Sequence, residues 1–213
     1  MIERKRVMKF YTYLTTGLIF LLGLTAAASG VVEGAHGSFL SGFTHPIFGF
    51  DHLLAMLAVG LLSVQLPNKN AIWFVPALFV FVMMIGGLVG ILGIEIPMIG
   101  EFSVVENVIW ASSLALGLVI ASEYKVSTPL AMVFVSIFAF FHGHAHGAEM
   151  GNVSHPGMYV AGFMIATALI HILGVILGEL CNKAARPETL RAKFGAAIAG
   201  IGLYLVLINN GII

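Results

Sequence analysis

Long apolar runs separated by short polar connections set the plan of this chain. Six runs lie at 46–66, 72–94, 104–121, 128–147, 157–180 and 191–208. Each is near the roughly 20 residues that a helix, with some tilt, needs to cross a hydrocarbon core. Within them glycines recur four apart, as in Gly86/Gly90 and Gly174/Gly178, a spacing that lets helix backbones approach closely. The pattern predicts an all-α integral membrane protein, with six transmembrane helices in a single bundle over residues 29–213. No convincing inverted repeat is present. His45-Pro46 and His155-Pro156 stand at the head of the first and fifth runs, which fits no simple symmetry.

The first residues carry a different signature. Arg4, Lys5, Arg6 and Lys9 form a basic segment, an apolar stretch follows at 14–24, and Ala26, Ala27 and Ala28 supply small residues for cleavage. That stretch is short for a membrane span, so residues 1–28 are expected to be a signal peptide. Cleavage as late as residue 35 is an alternative, because Gly34 and Ala35 are also small; an uncleaved anchor helix is another.

Composition agrees with the membrane reading. Hydrophobic residues make up 59% of the chain and charged ones 9%, against roughly 25% charged in a soluble domain. Basic and acidic residues number ten each, so no basic surface exists for nucleic acid. The lone Cys181 excludes an internal disulfide and a thiolate-rich metal site. The distribution of charge sets an expected orientation. Beyond the first segment, Lys69, Lys125, Lys183, Arg186, Arg191 and Lys193 all follow the first, third and fifth runs, whereas Glu95, Glu101, Glu106 and Glu149 follow the second and fourth. The positive-inside rule then makes the odd loops cytoplasmic and both mature termini external.

Against this apolar background stand two clusters of ionisable side chains. The first holds His45, Asp51 and His52; the second holds His142, His144, His146 and Glu149. Ionisable residues at bilayer depth are costly and mark functional sites by default, and imidazole with carboxylate suits nickel, copper, zinc or iron. Pro46 fits the first turn of a helix, which would put His45 at the external mouth and His52 on the order of 10 Å further in. His45 and His52 are seven apart and would share a face, with Met56 one turn below. His142, His146 and Glu149 follow i, i+4, i+7 and form one stripe, from which His144 points away. Gly143 and Gly147 weaken that helix and are the one hinge the sequence names. Metal ligands are therefore expected at His45, Asp51, His52, His142, His146 and Glu149. Asp51 alternatively orients His52, and Glu149 alternatively belongs to an acidic vestibule with Glu95, Glu101 and Glu106, which would concentrate cations.

His36, His144, His155, Glu106 and His171 are candidates for secondary metal or vestibule contacts. His36 would lie near a mature N-terminus, where amine and imidazole chelate together. His171 has Thr167 one turn before it and Glu179 two turns after it. It reads best as a packed, hydrogen-bonded histidine, with an exit path as the alternative. Met83, Met84, Met132 and Met164 read as core filler.

The two clusters also carry a resemblance. The pattern His, five residues, Asp-His followed by Leu-Leu-Ala-Met is met at 45–56, and Phe-His-Gly-x-Ala-His-Gly-x-Glu is met in full at 141–149. Over essentially its whole length the chain resembles the HupE/UreJ family of bacterial nickel permeases, some of which prefer cobalt. The resemblance implies a cleaved signal, six membrane helices, and inward transport of Ni2+ for hydrogenase or urease assembly. It also implies functional roles for His45, Asp51, His52, His142, His146 and Glu149. The expected substrate is a divalent transition-metal ion, Ni2+ first and Co2+ or Zn2+ next, without an organic cofactor, catalysis or a nucleic-acid partner. Protonation of the histidines below about pH 6 would compete with the metal. Two rival readings are an intramembrane zinc hydrolase, with three histidines and an open position for water, and a metal sensor without transport. Oligomeric state stays open, because small-residue faces serve contacts within or between chains.

Overall fold

A computed structural model describes residues 39–94, 102–150 and 155–213, apart from the side chains of 102, 103 and 149. The expected signal peptide, His36, Glu95 and Glu101 lie outside the described residues. Seven helices and no strand occur among the described residues: α1 (Phe39–Phe48), α2 (Phe50–Gln65), α3 (Ala71–Ile91), α4 (Phe102–Ser122), α5 (Thr128–Glu149), α6 (Pro156–Asn182) and α7 (Pro187–Asn209). Prolines in the first turns of α5, α6 and α7 occupy positions where a missing N–H costs nothing. The helices α3 to α7 are each long and apolar enough to cross a membrane, so the chain is a multi-pass membrane protein. Their bounds fall within a few residues of the apolar runs, α7 beginning earliest relative to its run.

The first run departs from expectation. It is two helices rather than one, with α1 and α2 meeting at 78°, and Pro46 lies inside α1 rather than opening a span. The break falls at Gly49, whose extended backbone (φ −72°, ψ 100°) precedes the first turn of α2. Proline upstream has no N–H to give the helix, and glycine there leaves the two helices free to diverge. A Cβ on Gly49 would sit 3.0 Å from His52 Nδ1 and 3.1 Å from Asp51 Oδ1, so the bend and the polar pair are built together. Helix α2 by itself is about 24 Å long, shorter than a hydrocarbon core of about 30 Å. A sixth span exists only if the bent pair acts as one.

Packing follows from small residues. Helix α2 is the central element, with ten of its sixteen residues buried, and it runs along α6, where Gly60 meets the His171 carbonyl and Gly174 meets the Leu57 carbonyl. Helix α1 meets α6 the same way, through Gly42 and Gly162. Helices α3 and α5 form the most extensive pair. There Gly86 and Gly90 face the Phe140 and His144 carbonyls, while Gly143 and Gly147 face the Met83 and Gly87 carbonyls. These last two glycines are thus contact points inside a continuous helix, not the hinge their helix propensity implies. Backbone approach this close is how membrane helices associate when lipid removes the hydrophobic drive between them. Large apolar side chains such as Phe81, Leu88, Leu118, Phe134 and Leu203 point outward, as lipid requires. Trp73 and Tyr124, near Lys69 and Lys125, are the most exposed aromatics among the described residues, at the bundle end where an interfacial belt belongs.

Candidate metal site

The bend between α1 and α2 turns the end of α1 back over the start of α2. His45 and His52 therefore meet across a corner, ring centroids 5.7 Å apart, and do not stand at depths of about 10 Å difference on one straight helix. Ser113 of α4 donates to the Asp51 carbonyl at 3.0 Å, which ties the first turn of α2 to the bundle. Next to it the Asp51 carboxylate accepts from His52 Nδ1 at 2.7 Å. A carboxylate has only acceptor oxygens, so Nδ1 carries the proton and Nε2 presents its lone pair.

That lone pair faces the last turns of α5. His52 Nε2 lies 2.5 Å from His146 Nε2, and the ring of His146 lies 4.6 Å from that of His45. One nitrogen from each of His45, His52 and His146 falls within 4.8 Å of the others. Among the described residues these three form a group able to hold a metal ion. His52 and His146 are buried and His45 half-buried. Imidazoles gathered at this spacing can replace the water shell of a borderline cation. The bond from Asp51 is the arrangement that fixes the tautomer of a ligating histidine and raises its basicity.

His142 completes the inner side. Its ring is 5.1 Å from that of His52 and fully buried. Its Nδ1 donates to the Phe138 carbonyl at 2.8 Å, leaving Nε2 with a lone pair. The i, i+4 stripe of His142 and His146 thus holds, and both rings adjoin His52. Glu149 is the last residue of α5. His144 faces the other way, buried against α3 beside Gly86 and stacked on Phe140. His155 is exposed at the start of α6, and Glu106 is half-buried on α4, neither of them in the three-histidine group. His171 is buried in α6 and, contrary to the hydrogen-bonded reading, neither ring nitrogen has a hydrogen-bond partner among the described residues.

Sequence reasoning named His171 on α6 but missed Phe163 and Tyr159 of the same helix. Phe163 packs on His146 at 4.5 Å and on His45 at 5.9 Å, and Tyr159 adjoins His45 at 6.2 Å. Both rings shield the imidazoles from lipid. The spacing of Tyr159, Phe163, Thr167 and His171 at four-residue steps was a signal for one functional face, obscured by the uniformly apolar residues around it. Met84, expected as core filler, is 42% exposed and lines a cleft.

A family model described as HupE / UreJ protein matches residues 17–205. Protein HupE of Rhizobium leguminosarum bv. viciae is similar, 43% identical over 194 residues, which are 91% of this chain and 97% of that one. No solved structure matches. The family match spans both histidine clusters and every described helix up to the last turn of α7, in agreement with the two motifs, and the chain belongs to the HupE/UreJ family.

Proposed function

We propose that this protein is a permease of the bacterial inner membrane that takes up Ni2+, with Co2+ as the nearest alternative, for hydrogenase or urease maturation. The observation that carries the reading is the meeting of His45, His52 and His146 inside an apolar bundle. Such a group is expensive to bury in lipid without a task. In this reading the bent pair α1–α2 serves as a sixth span, both mature termini are periplasmic, and the basic ends of the bundle face the cytoplasm. Hydrated Ni2+ enters near the end of α5 that carries Glu149 and exchanges part of its water for imidazole. His142 then offers the next nitrogen inward. Neutral imidazoles hold the ion less tenaciously than thiolates, which suits a carrier that must release it.

A zinc hydrolase would use the same three histidines and an activated water. It also needs a base near that water, and Asp51 Oδ1 is engaged by His52 Nδ1. Radiolabelled nickel uptake into proteoliposomes tests the proposal. The wild-type chain is expected to accumulate nickel, and His52→Ala or His146→Ala to abolish it. Accumulation unchanged in both variants, or tight binding without accumulation in the wild type, would overturn the permease reading.

A further inference from the structure

The stripe on α6 continues past the outer histidines. Tyr159 and Phe163 touch His45 and His146, and the same four-residue steps lead on to Thr167 and His171. Both of these are completely enclosed. Neither Thr167 Oγ1 nor either nitrogen of His171 has a hydrogen-bond partner among the described residues. Burying such groups unsatisfied costs on the order of 1–3 kcal/mol each. The close contact of α2 with α6 at this level uses the His171 carbonyl against Gly60, which any residue would supply.

The surroundings connect His171 to the outer group. Phe79 of α3 touches both the His171 ring, at 4.9 Å, and the His142 ring, at 5.7 Å. His142 Nε2 is likewise without a partner among the described residues, and His142 adjoins His52. A line of contacts therefore runs from His52 through His142 and Phe79 to His171, with partnerless nitrogens at two of its steps. Two cavities follow the same direction along the seam of α3 and α6. One, of about 240 Å³, reaches His146; the other, of about 580 Å³, reaches His171; Met84 lies on the walls of both. The second also takes in Trp73 and Ile176, toward the bundle end that carries Lys69 and Lys183.

We propose that His171 and Thr167 form a second, inner station for the divalent cation, which it occupies after leaving the outer histidines. This rests on the permease reading above. One imidazole and one hydroxyl make a weaker donor set than three imidazoles, so the ion is passed onward rather than trapped. Phe79 separates the two stations and sets the order in which they fill.

The test uses the full chain, with nickel alone as the probe, measuring binding stoichiometry in detergent and initial uptake in proteoliposomes. His171→Leu, close in volume and apolar, is expected to keep binding at the outer group, lose the additional equivalent bound by the wild type, and slow uptake by on the order of tenfold. Thr167→Val removes one hydroxyl at nearly constant volume and is expected to slow uptake several-fold, so the test stands even if His171→Leu does not assemble. Wild-type stoichiometry and uptake in the variants would overturn the inner station while leaving an outer site that His146→Ala still abolishes. A wild-type chain that binds no nickel would overturn the outer site and the inner one together.

Discussion

His52 and His146 stand 94 positions apart in the chain, yet their Nε2 atoms lie 2.5 Å from one another. Two local features produce this. The break at Gly49 lets α2 start at a steep angle to α1, so His52 faces inward within the first turn of its helix. Contact of Gly143 and Gly147 with α3 then fixes the rotation of α5, and with it the side on which His142 and His146 emerge. The remaining nitrogen of His52 is held by Asp51, which leaves the ring no freedom to present its other face.

Asp51→Asn tests that hold. The amide oxygen can still accept from His52 Nδ1, so the ring keeps its place, but the charge that raises imidazole basicity is lost. Nickel affinity is expected to fall by about 10- to 100-fold, with thermal stability nearly unchanged. Equilibrium binding of nickel to the purified chain checks it, and wild-type affinity in this variant would mean that the carboxylate has no part in the site.

If His52 and His146 bind one ion together, their loss is not additive. Residues acting as a unit show coupling that a double-mutant cycle exposes. Nickel affinity in His52→Ala/His146→Ala is expected to equal that of the weaker single variant. Independent, summed losses would place the two imidazoles at separate ions.

The extent to which sequence disclosed this site has a physical explanation. Both histidine clusters were legible because charged and imidazole groups are conspicuous in apolar runs, and the i, i+4 pair His142 and His146 needed only an unbroken helix to share a face. The corner at Gly49 was not legible. Pro46 fits the first turn of a helix as well as the last turn of another, and the polar residues that flank the bend, His45, Asp51 and His52, read equally well as one face of an unbroken helix. The role of Gly143 and Gly147 was hidden for a related reason: glycine signals weakness to a local reading, while its use here is contact with a helix more than fifty residues earlier. Phe163 was indistinguishable by composition from the lipid-facing phenylalanines, since only its position on α6 turns it toward His146.

The glycine account is open to a direct check. A Cβ at Gly143 would collide with the Met83 carbonyl, and one at Gly147 with the Gly87 carbonyl, both backbone atoms that cannot swing aside. Gly143→Ala and Gly147→Ala are each expected to lower stability by about 1–3 kcal/mol, as overpacking does, and to reduce nickel uptake through the displaced His142 and His146. Gly157→Ala and Gly200→Ala, where a Cβ meets nothing within 4 Å, are the matched controls and should leave stability unchanged or raised by up to about 1 kcal/mol and uptake unchanged. Thermal unfolding in detergent reads the first and proteoliposome uptake the second. Equal melting temperatures across all four variants would remove the packing role assigned to α5.

Phe163 separates shielding from simple filling. It is buried, and its ring lies against His146 and His45, so Phe163→Ala should open a cavity and cost about 3–5 kcal/mol, which by itself says nothing about metal. Phe163→Leu retains most of the volume and should cost far less, but it removes the flat ring that presses the imidazoles toward one another. In that variant nickel affinity is expected to fall by several-fold while the melting temperature stays close to wild type. Phe163→Tyr keeps the ring and is expected to restore affinity. A Leu variant that binds nickel as the wild type does would reduce Phe163 to filler and leave the orientation of His146 to α5 alone.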